Sequence, residues 1–168
     1  MLTSVFTNPP KTTTKMNIVI TRYRKTAEAR CTEPVEVIDG HLLIDGQKIC
    51  DTAENANGAL PEGEYEVTLL KCKQYKRKML CLEASTRCDH CPKLEVVCNN
   101  TTMPIYCPML KPGNGVHKRL DGSIILGTRI IPGCLKHPKQ AFDSVYGRIR
   151  KSIQRGNQVV VTIKNEIV

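Results

Sequence analysis

Helical periodicity occurs in one place in this chain. From Pro138 onward, Ala141, Phe142, Val145, Tyr146, Ile149 and Ile153 recur at three- and four-residue spacing, which lays a single apolar stripe along a helix. Elsewhere the apolar runs are short and bounded by Gly, Pro, Asp or Asn, the pattern of strands and turns. Such a chain is predicted to be mainly β, a β-rich α+β domain with one C-terminal amphipathic helix.

The local signals divide it further. Pro138 suits a first helical turn, where a missing N–H costs nothing, and Gly156 suits the C-cap. Lys139, Arg148, Arg150, Lys151 and Arg155 sit mostly off the stripe, and cations in the last turns complement the helix dipole. The β-branched run Asn17–Thr21 reads as a first strand, and residues 22–36 as a polar loop. Asp45-Gly46, between the apolar runs of 42–50, tolerates positive φ and marks a hairpin. Residues 52–59 read as a polar connector. Pro61-Glu62-Gly63 launches an alternating strand over 64–70. Further strands are expected at 79–83, 124–126 and 159–163, with residues 85–112 irregular.

A length of 168 residues is about one domain, able to bury roughly 70% of its unfolded surface. The expected organisation is a flexible leader over 1–15 and a single β-rich domain over 16–168, with a Cys-rich irregular segment at 81–107. Aromatic residues are only 4% of the chain, with no Trp, so the core must be aliphatic. The cysteines number nine, an odd count that intrachain disulfides cannot exhaust. Residues 1–15 lack the basic start and apolar core of a secretory signal, and no apolar run reaches the ~18 residues of a membrane span. The expected compartment is therefore the cytoplasm, where cysteines are thiols, metal ligands or small core residues. A formal charge of +9 favours anionic partners, whether nucleic acid, anionic polymer or acidic protein.

Three constellations carry candidate chemistry. Cys88 and Cys91 form a C-x-x-C knuckle that, with Cys98 and Cys107, supplies four thiolates for a tetrahedral zinc; the competing reading makes Cys98 a small core residue. Lys71, Lys73, Lys76, Arg77 and Lys78 place five cations in eight residues. They would track a phosphate backbone or serve as a solvated, lysine-rich turn that blunts a sheet edge. Ser123, with His117 and Asp121 nearby, has the residue types of nucleophilic catalysis, and equally those of a turn whose hydroxyl bonds local backbone.

Residues 42–46 (LLIDG), 50–54 (CDTAE), 59–67 (ALPEGEYEV), the glycine-rich loop through Gly127 and the closing helix and strand together resemble a phage and bacterial domain family of unknown function. That family is common in Bacteroidetes and mobile elements, and the resemblance runs from about Asn17 to Ile163. Its pattern is in turn similar to the L,D-transpeptidase catalytic domain, a β-rich fold acting on peptidoglycan stem peptides. Pro61-Glu62-Gly63-Glu64-Tyr65 matches the family's Pro-x-Gly-Thr-like turn loosely. Asp121-Gly122-Ser123-Ile124 stands at the His-Gly-Cys-Ile-like corner, with Asp121 at the histidine and Ser123 at the nucleophilic cysteine. Many relatives carry a histidine before Pro-Gly-Asn, where this chain has Lys111. The resemblance implies ligand contacts at Lys111, Asn114 and Arg129.

Three functions follow as expectations. The first is a degraded or non-catalytic L,D-transpeptidase-like binding or accessory module of phage or mobile-element origin, taking an anionic polymer or peptide and reaching the wall by lysis or in a virion. The second is a serine-dependent amide or ester hydrolase, or a peptidoglycan-acting enzyme, using Ser123 and His117. The third is a zinc-stapled basic module that binds nucleic acid through residues 71–78.

Overall fold

A computed structural model of the chain describes residues 12–28, 35–72, 75–82, 94–98, 101–105, 108–116 and 122–167. Along them run β1 (Lys15–Glu28), β2 (Val35–Ile44), β3 (Gln47–Asn55), β4 (Gly63–Cys72), β5 (Arg77–Leu82), β6 (Leu94–Cys98), β7 (Thr101–Ile105), β8 (Met109–Pro112), β9 (Ile124–Ile131), β10 (Cys134–Lys136), α1 (Pro138–Gln154) and β11 (Gln158–Asn165). The β-rich class with a single helix is therefore what the described residues form.

Eight strands close on themselves in the order β9-β3-β2-β1-β11-β4-β5-β8, with β8 pairing back onto β9. Closure gives each of these eight strands a partner on both sides, which removes the open edge that is the standing hazard of a sheet. Two seams are parallel, β1 with β11 and β8 with β9. Outside the barrel, β10 pairs with the second half of β9, and β6 and β7 make a separate antiparallel pair.

Local chemistry explains several joints. At the β2–β3 turn both Asp45 (φ 51°) and Gly46 (φ 76°) have positive φ, the requirement of a two-residue type I′ hairpin. On β9, a Cβ at Gly127 would lie 2.7 Å from the Cβ of Leu135, so only glycine lets β10 pack this closely.

The main core fills the barrel. Ile18 and Ile20 of β1, Leu42 and Ile44 of β2, Leu80 and Leu82 of β5, and Val161 and Ile163 of β11 alternate inward. Phe142, Val145 and Ile149 of α1 join them. The helix lies across the barrel end formed by the starts of β1 and β11 and the β2–β3 turn, where Lys15, Met16, Ile44 and Asp45 face its last turns across a groove. A smaller apolar cluster, Val37, Ala53, Val116, Ile125 and Leu135, sits on the outer side of β2, β3 and β9 beneath β10.

The opposite barrel end is closed by charge. Arg22, on the last inward position of β1 before a register shift at Arg22/Arg24, is buried against Glu54 of β3. Its Nε and Nη2 donate to the two carboxylate oxygens at 2.8 and 2.6 Å. Nη2 also donates to the Leu60 carbonyl at 2.7 Å, and Nη1 to Asn165 Oδ1 at 3.3 Å. This planar fork matches a carboxylate in two parallel bonds. The bulge flips the strand's alternation, so Arg24 points outward.

These contacts overturn several boundaries expected from polarity. Residues 22–28 belong to β1, and 52–55 belong to β3, where Thr52, Glu54 and Asn55 are buried. Polar residues read as loop because they line a buried ionic plug. Lys15, expected within the leader over 1–15, already pairs with Gln158, and residues 1–11 lie outside the described residues. The expected irregular segment at 81–107 also needs correction. Cys81 is a core residue of β5, and the β-branched 94–98 run pairs with 101–105.

Candidate functional site

The serine corner is the first candidate. Gly122, at φ 72°, turns the chain into β9, and Ser123 stands at its head. The residue is 6% exposed, and its Oγ accepts the Met109 N–H at 3.3 Å. The parallel register sets Leu110 opposite Ile124 and Lys111 opposite Ile125. Alternation then puts Lys111 and Ser123 on the outer side of neighbouring strands, and Lys111 too is buried. Asn114 is exposed, and its carbonyl accepts the Leu135 N–H at 2.8 Å, which fixes the Pro-Gly-Asn loop as part of the roof over the outer cluster. His117 and Asp121 lie outside the described residues. Here the serine hydroxyl bonds to the backbone of β8, tying two strands together.

The described thiols are core groups rather than exposed nucleophiles. Cys50 and Cys81 are both buried. Burial, reinforced by the Asp51 charge and opposed by Lys48 and the Gly127 N–H, pushes the Cys50 thiol up to about 12. A thiol held protonated is a poor nucleophile. Cys134 is half-buried at the start of β10. Of the proposed zinc ligands, Cys88, Cys91 and Cys107 lie outside the described residues, and Cys98 is described only through its backbone in β6. Among the described residues, no three His, Cys, Asp or Glu side chains converge to hold a metal.

A polar cluster that sequence reading missed occupies the outer faces of β1, β2, β3 and β9. Asp39, fully buried, receives Arg24 at 3.1 and 2.8 Å, the Arg129 guanidinium, and the Gly133 N–H at 3.0 Å. Arg129, for which the resemblance implies a ligand contact, bonds the Thr52 and Gly40 carbonyls and lies 5.5 Å from the Tyr23 ring centroid. Asp51 holds His41 Nδ1 at 3.1 Å, Lys48 Nζ at 2.7 Å and the Arg129 N–H at 2.7 Å. Burial works to raise the Asp51 carboxyl, but the Lys48, Arg129 and His41 contacts together outweigh it and hold it below its ordinary range. His41 stacks on Tyr23 with centroids 4.5 Å apart. Alternating charges at outward positions of adjacent strands would have signalled this cluster, but only once the strand pairing was known.

The basic surface forms the second candidate. Lys71 is exposed on β4, and Lys76 (φ 53°) turns the chain into β5. Arg77 lies 5.2 Å from the ring centroids of both Phe142 and Tyr146 on α1. The Tyr146 hydroxyl donates to the Lys78 carbonyl at 3.3 Å. The cations of the β4–β5 hairpin thus adjoin those of the helix, with Lys73 outside the described residues. Lys78 and Arg150 line a groove of about 660 Å³ between α1, β4 and β11. Lys15, Arg148, Lys151 and Arg155 line a second, of about 460 Å³, on the other flank of α1. Among the described residues the only ion pair on the helix is Lys139–Asp143, at 2.6 Å in its first turns.

No protein-family model, curated protein or solved structure matches the chain. None of the described helices is long and apolar enough to cross a membrane.

Proposed function

We propose that the protein is a non-catalytic binding module with an L,D-transpeptidase-like sheet, of phage or mobile-element origin, that takes an anionic polymer or peptide. The observation that carries this reading is the state of Ser123 at the nucleophile corner, where the hydroxyl is buried and accepts the Met109 N–H. A serine nucleophile needs an open approach to an acyl carbon, and Ser123 is only 6% exposed. The basic flanks of α1 supply the binding surface. A cytoplasmic or virion-borne location goes with this reading.

Incubation with peptidoglycan stem peptides should give neither cross-linking nor hydrolysis, and a fluorophosphonate probe should leave Ser123 unlabelled. Ser123→Ala should lower stability by about 1 kcal/mol, the worth of one backbone hydrogen bond. Peptidoglycan turnover that disappears in Ser123→Ala would overturn the reading. It would favour the alternative of a serine-dependent amide or ester hydrolase, or a peptidoglycan-acting enzyme, using Ser123 and His117.

A further inference from the structure

We infer that the basic face around α1 binds the phosphate backbone of a nucleic acid, with Lys15, Arg148, Lys151 and Arg155 contacting it along one flank and Lys78 and Arg150 along the other. This names the partner class of the binding module proposed above and rests on that reading.

The charge is uncompensated where it is densest. Arg148, Arg150, Lys151 and Arg155 are all exposed. The first groove contains one acidic residue, Asp45, and the second contains one, Glu66. Of the cations invoked, Lys15 has an exposed partner, Glu64 at 3.7 Å, and the four on the helix have no ion pair among the described residues. A helix C-terminus carries about half a negative charge, which a single cation answers; four cations in its last two turns exceed that role. Positions 148, 151 and 155 rise by ~4.5 and ~6 Å along the helix axis. They make a cationic edge ~10 Å long on the scale of a backbone carrying one charge per ~3.4 Å of each strand. Three of the four are arginines, whose planar fork pairs with phosphate in two bonds.

The setting argues against other anionic surfaces. A membrane-surface helix places apolar residues beside its cations. The exposed large apolar residues among those described are Ile130 and Ile167, and neither is on α1. An acidic peptide of high affinity needs apolar anchor pockets. The groove holding Lys15, Arg148, Lys151 and Arg155, where the cations are densest, offers only Met16 and Ile44 as large apolar lining. The one holding Lys78 and Arg150 adds Leu69, Tyr146 and Ile153, so the first flank is the one that disfavours a peptide.

The test is fluorescence anisotropy of the full chain with a labelled ~20-nucleotide single strand across about 50–200 mM salt. Polyglutamate and phosphatidylglycerol-containing vesicles serve as competing arms. The oligonucleotide should bind at low salt, with log K falling against log salt at a slope near −4, about −0.7 for each of the six contacts. The combined Arg148→Glu, Lys151→Glu and Arg155→Glu variant should bind at least about tenfold more weakly, and single Arg148→Gln or Arg155→Gln changes should each reduce the slope by about 0.7. Thermal melting of the single glutamine variants should stay close to the parent, and the combined glutamate variant should melt only a few degrees lower, the cost of acids at a helix C-terminus. No oligonucleotide binding at low salt, unaltered affinity in the combined variant, or equal binding of polyglutamate or vesicles would each overturn the inference. Ser123→Ala should bind the oligonucleotide normally, so failure here is distinguishable from failure of the non-catalytic reading, which turns on Ser123-dependent turnover.

Discussion

The two ends of this barrel are closed by opposite chemistries. At one, α1 lowers Phe142, Val145 and Ile149 into the aliphatic core. At the other, Arg22 and Glu54 meet in a buried bidentate pair, with Leu60 and Asn165 taking the remaining donors. Apolar contact is non-directional, so the helical plug tolerates small losses of volume in proportion to the cavity left. A buried ion pair works only when complete. Removing one partner strands a charge that water cannot reach. The comparison predicts one end that degrades gradually and another that fails as a unit.

The largest expected effect separates the ends directly. Glu54→Ala should lower the free energy of unfolding by about 3–5 kcal/mol in denaturant titrations. Arg22→Met combined with Glu54→Leu should recover most of that loss, since an apolar replacement of a buried pair is often close to neutral. If the double variant is as unstable as the single, the polar end does more than close the barrel. At the helical end, Ile149→Val should cost about 0.5–1.5 kcal/mol by the same measurement; a cost near that of Glu54→Ala would erase the distinction.

Acid should sharpen the contrast further. The folded state holds the Asp51 carboxyl below its ordinary 3.8, so its ionised form contributes stability at neutral pH that is lost as pH falls through that lowered value. Asp51→Asn should therefore be less stable than the parent at pH 7, and the gap should close on acidification below about pH 4. The Ile149→Val gap should stay constant over the same range.

The smallest effect concerns Cys50. Its thiol is held up to about 12 from an ordinary 9.0, so the contribution of its neutral form is lost as pH rises across that interval. In folded protein at pH 8, iodoacetamide should spare Cys50, and the same reagent should label it after unfolding. Labelling at equal rates in both states would mean that this part of the wall opens freely.

Much of the fold was legible in residue order because local signals and tertiary demand agreed. The α1 stripe, the Asp45-Gly46 hairpin, the alternation of 64–70 and the closing run at 159–163 all appear where their side chains predict. The misread stretches were 22–28 and 52–55. Arg22 and Glu54 look solvated by type, yet both are buried because each is the other's partner across the barrel, 32 positions away. Ser123 was visible as a corner residue, but its burial depends on β8 packing alongside. The basic run at 71–78 was visible as well. Its meeting with the helix cations arises from Arg77 lying over Phe142 and Tyr146, residues far along the chain.

The parallel seam between β1 and β11 also orders events in time. Lys15–Arg22 can find their partners only after Gln158–Asn165 have left the ribosome, so the barrel stays unsealed until β11 has been made. Contacts of such sequence separation form slowly, since much of the chain must be confined before they reward it. Until then one edge of β1 and the inward-facing Arg22 are open to solvent and to neighbouring chains. The nascent protein is thus most exposed to mispairing just before β11 arrives.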